Sequence, residues 1–106
     1  VAYSAEAASL LVENSPVVEG RGESDIVFDI DPATATGGAY PIALVSYAIG
    51  CVEYEDANIA SLVKSYFTWM ASEEGQAAAS DNAGNAPISD GLRTTVQAAI
   101  DRIVAE

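Results

Sequence analysis

Side chains that could support nucleophilic chemistry occur at two places in the chain. Ser61 and Lys64 stand in an S-x-x-K pattern, in which a lysine can take the proton of a serine nucleophile, and Ser80-Asp81-Asn82 matches the S-D-N pattern that accompanies it. The two patterns lie too close together in sequence, and no K-T-G follows them. Because Ser61 and Lys64 are also simple neighbours on one predicted helix, a solvated helix face explains them better, and we assign no catalytic residue.

Carboxylates that could bind a metal or exchange protons have simpler structural explanations. Asp29 and Asp31 could begin a metal-binding loop, but the glycine and final glutamate of an EF-hand are absent at the required spacing, and Pro32 follows directly. Glu73 and Glu74 are adjacent, so on a helix their side chains point in different directions. Their negative charges stabilise the N-terminal end of a helix dipole. We therefore predict no metal site.

Charge and residue usage limit the classes of function. The 106-residue chain has sixteen Asp plus Glu against four Lys plus Arg, a net charge of −12. Such a surface repels nucleic acid and anionic lipid, although backbone N–H groups can still bind an anion locally. There is no histidine, the commonest general base, and the single cysteine cannot form an internal disulfide. We expect no enzyme, no nucleic-acid partner and no cofactor.

The most apolar stretch of the chain is residues 40–52, which contain no charged side chain. The stretch is too short for a membrane span of about 20 residues. Lipid attachment at Cys51 would need a basic and apolar signal upstream, which is lacking. Apolar residues occupy both the odd and the even positions, so both faces of an extended chain would be apolar. This pattern predicts a strand covered by helices on both faces, and Pro41 fits its first position.

Capping residues and apolar periodicity predict the other elements. Helices are predicted from Ser4 to about Asn14, from Asp56 to Met70, from Ser72 to Ala79, and from Ser89 nearly to the C-terminus. Alternation predicts a half-exposed strand over residues 24–30. The linker 31–38 ends in Gly37-Gly38, which favour a turn or flexible joint over an anion nest. The aromatic stripe Tyr66, Phe67 and Trp69 is interpreted as core.

From Tyr40 onward the chain resembles the C-terminal segment of the phosphate-binding proteins that serve phosphate ABC transporters. The resemblance rests on an ordered succession of motifs rather than on any single one. In order they are Ala39-Tyr40-Pro41-Ile42 before an apolar strand with Tyr47, Val63-Lys64-Ser65-Tyr66-Phe67-Thr68-Trp69 on a helix, Glu74-Gly75-Gln76, and Gly84-Asn85-Ala86-Pro87-Ile88-Ser89. The family commonly has Gly-Tyr-x-Pro-Leu-Pro at the last position, and the variation here is similar to actinobacterial members. Residues 1–36 fit the family only loosely.

The resemblance implies an α/β fold, namely the C-terminal part of a two-lobed, type II periplasmic-binding-protein-like architecture with a mixed sheet covered by helices. Residues 1–37 would form the end of the second lobe and the crossover linker, and residues 38–106 would complete the first lobe. The implied hinge is Gly37, Gly38, Ala39, Tyr40 and Pro41. The family's ligand contacts come chiefly from earlier parts of the chain, so no ligand-binding residue is expected in this fragment.

The implied function is binding of inorganic phosphate outside the cytoplasm and its delivery to an ABC importer. The implied partners are phosphate, held by absent N-terminal parts, the transporter's membrane subunits, and either the missing N-terminal portion or a swapped copy. The location would be the periplasm or cell surface, with lipid anchoring or secretion through a signal outside this chain. Two alternatives stay open: a binding protein for sulfate or molybdate, and a self-contained acidic interaction domain.

Overall fold

The computed structural model describes residues 2–105. The order of elements is α1 (Ala5–Asn14), a 3₁₀ turn (Pro32–Thr34), β1 (Glu53–Tyr54), α2 (Ala57–Ala71), α3 (Glu73–Ala83), α4 (Asp90–Ile100) and β2 (Val104–Ala105). The two strands pair in parallel, with Glu53 opposite Val104 and Tyr54 opposite Ala105. The chain is therefore mixed α/β, with most of its regular structure in helices.

Each helix begins at a side chain that accepts a hydrogen bond from the first turn. The cap oxygen lies 2.8–3.1 Å from the backbone nitrogen two or three residues further on, and the capping residues are Ser4, Asp56, Ser72 and Ser89. All four predicted helix starts are confirmed, because capping depends on local sequence. The ends differ: α3 runs past Ala79 to a left-handed cap at Gly84, and α4 stops at Ile100.

The main hydrophobic core lies between α2, α4 and the residues that follow α4. Its buried members are Ala71, Ile100 and Ile103. Partly buried apolar side chains pack around them, namely Tyr54, Val63, Phe67, Ile88 and Val96. Ile103 reaches this core because the chain turns after α4 and then pairs with β1, where the Val104 N–H donates to the Val52 carbonyl oxygen over 2.8 Å. The sheet thus fastens the C-terminal residues onto α2.

A second, smaller packing unit surrounds α1. Leu11 is fully buried, and Ala7 and Ala39 are buried beside it. The buried Ser15 hydroxyl donates to the Leu11 carbonyl oxygen over 2.7 Å and accepts from the Asp31 N–H at 3.3 Å. These bonds tie the 3₁₀ turn to the end of α1, so the N-terminal residues have their own small core.

The predicted strand over residues 24–30 is wrong as a regular strand. Phe28 forms a single antiparallel bridge with Val17, flanked by hydrogen bonds from Val18 to Val27 and from Asp29 to Pro16. The partner segment begins at Pro16, which has no N–H to donate. The ladder therefore cannot extend past Pro16 on one side, and on the other side the chain turns at Gly20, whose φ is +82°.

The strand predicted over residues 40–52 does not form within the described residues, where the sheet is the parallel pair of β1 and β2. Residues 42–51 lie in neither helix nor strand. The side chains of Ile42, Leu44 and Ile49 are 74%, 94% and 92% exposed. A buried strand needs neighbouring strands to pair with its backbone and a covering layer on each face. Within residues 2–105, no strand pairs with this segment and no layers cover its two faces. None of the helices in that range has the length and hydropathy needed to cross a bilayer.

Gly75 should be essential for the junction of α2 and α3. Ser72 ends one helix and begins the next, and a Cβ at Gly75 would lie 2.1 Å from the Trp69 carbonyl oxygen. We expect Gly75→Ala to lower the free energy of unfolding by about 2 kcal/mol, because backbone must move. Urea unfolding followed by circular dichroism measures this.

The matched control is Gly91→Ala in the first turn of α4, where an added Cβ has nothing within 4 Å. Alanine is the better helix former, so this change should stabilise the chain by up to about 1 kcal/mol. Equal unfolding midpoints for the two variants would contradict the proposed crowding at Gly75.

Candidate functional site

The predicted hinge begins with a tight turn made by two glycines. Gly37 and Gly38 have φ of +64° and +91°, and the Ala39 N–H donates to the Thr36 carbonyl oxygen over 3.2 Å. Positive φ at both central positions is the requirement of a type I′ turn, which glycine meets without steric cost. A Cβ at either position would meet nothing within 4 Å. Backbone conformation, not crowding, therefore favours glycine here.

The remaining hinge residues differ in how firmly they are held. Ala39 is buried, and the Tyr40 N–H donates to the Ala7 carbonyl oxygen over 2.9 Å. The Tyr40 ring also meets Tyr3 edge-on, with centroids 5.8 Å apart. Pro41 is exposed. The segment thus has a glycine turn, two residues anchored on α1, and a free proline; its assignment as a hinge stays a prediction.

The exposed apolar segment, residues 42–51, is attached at its middle and its end. The Tyr47 hydroxyl accepts a hydrogen bond from the Phe28 N–H at 3.1 Å, and the Tyr54 hydroxyl accepts one from the Cys51 N–H at 2.8 Å. The Cys51 thiol is free and exposed. Between Pro41 and Tyr47 the segment therefore presents apolar side chains to solvent.

An open groove of about 880 Å³ lies between α2, α3 and α4. Its cationic side chains are Lys64 and Arg93. The Arg93 guanidinium donates to the Ala71 carbonyl oxygen over 2.9 Å and forms ion pairs with Asp90 and Glu73. These contacts neutralise the guanidinium and hold α4 against the α2–α3 junction. Both cations of the groove are therefore already in contact with other protein groups.

Several residues of the sequence patterns that suggested chemistry have structural contacts. The Lys64 ammonium contacts the Asp101 carbonyl oxygen at 3.4 Å, while Ser61 is exposed on α2. Asp31 caps the 3₁₀ turn by accepting from the Ala33 N–H at 2.9 Å. Among the described residues, no group of three or more His, Cys, Asp and Glu side chains could hold a metal ion.

Helix α2 carries apolar side chains on two sides, and only one side is covered. Its inner face, Ala60, Val63, Phe67 and Ala71, is buried or half-buried. Its outer stripe, Ile59, Leu62, Tyr66 and Trp69, is 49–70% exposed. The interpretation of the aromatic residues as core is therefore right for Phe67 and wrong for Tyr66 and Trp69. In the sequence, the residues of the outer stripe follow one another at intervals of three, four and three, and this helical spacing indicated a second apolar face.

Comparison with known proteins finds similarity to phosphate-binding proteins. The chain is 33% identical over 88 residues to the phosphate-binding protein PstS3 of Mycobacterium bovis (strain BCG / Pasteur 1173P2), and equally to PstS 3 of Mycobacterium tuberculosis (strain ATCC 25618 / H37Rv). The match covers 81% of this chain and 23% of each relative, so the chain spans about a quarter of their length. No family model matches the chain. No solved structure matches it.

The glycine turn gives a test of the local backbone. Replacing both Gly37 and Gly38 by alanine should cost about 2 kcal/mol, since each L-residue at positive φ costs roughly 1 kcal/mol. Asparagine adopts this region more readily, so the double asparagine variant should lose less stability. Urea unfolding of the native chain and the two double variants measures these losses of stability. Equal losses for the alanine and asparagine variants would show that the turn conformation is not what selects glycine.

Proposed function

We propose that this chain is part of an extracytoplasmic solute-binding protein that binds inorganic phosphate and delivers it to an ABC importer. The observation that carries the proposal is the 33% identity over 88 residues with PstS3. It agrees with the motif succession from Tyr40 onward. The chain would form the C-terminal part of a two-lobed protein, with residues 1–37 ending one lobe and residues 38–106 completing the other.

The exposed apolar segment supports a place in a larger sheet. Residues 42–51 are the least polar part of the chain, yet Leu44 and Ile49 are almost fully exposed. Burying one such side chain is worth about 1.5–3 kcal/mol, so several exposed together favour a partner layer. A strand of the first lobe's sheet would be paired and covered here, which is the environment that the sequence pattern predicts.

The phosphate contacts themselves would lie outside these 106 residues. Lys64 and Arg93, the cations of the groove, already contact backbone or carboxylate groups. A net charge of −12 does not prevent phosphate binding, because neutral N–H and O–H donors can surround an anion in a closed cleft. An acidic acceptor there would favour protonated phosphate over sulfate. No catalytic step is part of the proposal.

Equilibrium dialysis of the full-length protein containing this chain, with radiolabelled phosphate, tests the ligand. We expect binding that excess sulfate or molybdate does not displace, because those dianions have no proton to donate at neutral pH. The 106-residue chain alone should bind no phosphate. Displacement by sulfate or molybdate would indicate a different oxyanion, and failure to bind any of the three would favour an acidic interaction domain.

The hinge assignment predicts a change in shape. In the full-length protein, Gly37→Val with Gly38→Val should disfavour the turn, because valine rarely adopts positive φ, and should shift the balance of open and closed forms. Small-angle scattering with and without phosphate measures the difference in radius of gyration, and Gly91→Ala is the control. If the double variant and the native protein compact equally on adding phosphate, residues 37–38 are not the hinge.

A further inference from the structure

The outer stripe of α2 is an apolar ridge with no cover among the described residues. Ile59, Leu62, Tyr66 and Trp69 are 49%, 70%, 59% and 52% exposed. Their spacing places them in line along one side of a 15-residue helix, which is about 22 Å long. Single exposed apolar residues are ordinary, but four large ones in line are typical of an interaction surface.

The stripe is free of charge along its length. Lys64 is the one charged residue of α2, and its ammonium reaches the Asp101 carbonyl oxygen beside α4. The border of the stripe away from the core is polar but uncharged, formed by the exposed residues Asn58, Ser61 and Ser65. An apolar centre with a polar rim is the usual composition of a protein-binding surface.

Both ends of the stripe are acidic. Glu55 and Asp56 precede α2, Glu73 and Glu74 follow it, and all four are exposed. Arg93 lies 3.8 Å from Glu73 and also pairs with Asp90, so carboxylates still outnumber cations at the second end. A second copy of this chain laid along the stripe, in either direction, would place carboxylates opposite carboxylates. The net charge of −12 on each copy adds to that repulsion. Charge therefore selects against a homodimer and for a partner of opposite sign.

We propose that the outer stripe of α2 binds an amphipathic helix of a partner protein, with an apolar face in the middle and Lys or Arg at both ends. The apolar face would cover all four residues of the stripe, Ile59 included, as when two helices pack side by side. The basic ends would pair with the two acidic clusters and set the register. This surface takes no part in phosphate binding, and in a longer protein it is open to a partner only where the rest of that protein leaves α2 uncovered.

Trp69 supplies the readout, because it is the chain's single tryptophan and lies on the stripe. The probe is a synthetic helix of about 18 residues, long enough to span α2. It has leucines at i, i+3, i+4 and i+7, two lysines at each end, and no aromatic residue. We expect a saturable blue shift of Trp69 emission. A matched peptide with glutamates in place of the lysines should produce none.

Two variants separate docking on the stripe from general attraction to an acidic protein. Leu62→Glu and Leu44→Glu each add one negative charge at an exposed leucine, one on the stripe and one outside it. Docking predicts that Leu62→Glu weakens binding about tenfold or more, the loss expected from one leucine's burial, while Leu44→Glu leaves it unchanged. Ile59→Glu replaces Leu62→Glu if the latter loses its helical circular dichroism signal.

Three outcomes would overturn the proposal. The first is the absence of any saturable shift with the lysine-ended peptide. The second is equal or tighter binding to the Leu62→Glu and Ile59→Glu variants, which would show attraction by charge alone. The third is a concentration-dependent blue shift without peptide, together with a dimer in analytical ultracentrifugation, which would show that a second copy covers the stripe.

Discussion

The packing of α2 against α4 and the C-terminal residues holds the helical part of this protein together. Ala71 at the end of α2 is the point of contact, since its side chain joins the core with Ile100 and Ile103 and its carbonyl oxygen accepts from Arg93. Small residues make this approach possible. The positions of α3, of the open groove and of β2 all follow from it.

Polar side chains reinforce this packing by joining segments that are apart in sequence. The Gln76 amide donates to the Met70 carbonyl oxygen over 2.7 Å and accepts from the Ile88 N–H at 3.0 Å, so one side chain links α2, α3 and the connection to α4. The Ser9 hydroxyl donates to the Pro87 carbonyl oxygen over 2.7 Å and ties α1 to the same connection. Among the side chains that the structure describes, no buried nitrogen or oxygen lacks a partner.

Two apolar surfaces of the described residues are uncovered, and they differ in what their backbones lack. Residues 42–51 have unpaired backbone groups as well as exposed side chains, so they need a neighbouring strand. The backbone of the outer stripe of α2 is satisfied within its own helix, so it needs only an apolar cover. The first surface fits a place in a larger sheet, and the second fits a docked helix.

The sequence by itself determined the features that depend on neighbouring residues. The helix starts at Ser4, Asp56, Ser72 and Ser89 were predictable from capping, and the turn at Gly37-Gly38 from the need for positive φ. The tertiary structure alone decided the extent of the strands and which side of α2 is covered. Strand pairing and burial require a segment from elsewhere in the chain to lie alongside. An apolar pattern indicates that a surface will be covered but does not show which segment covers it.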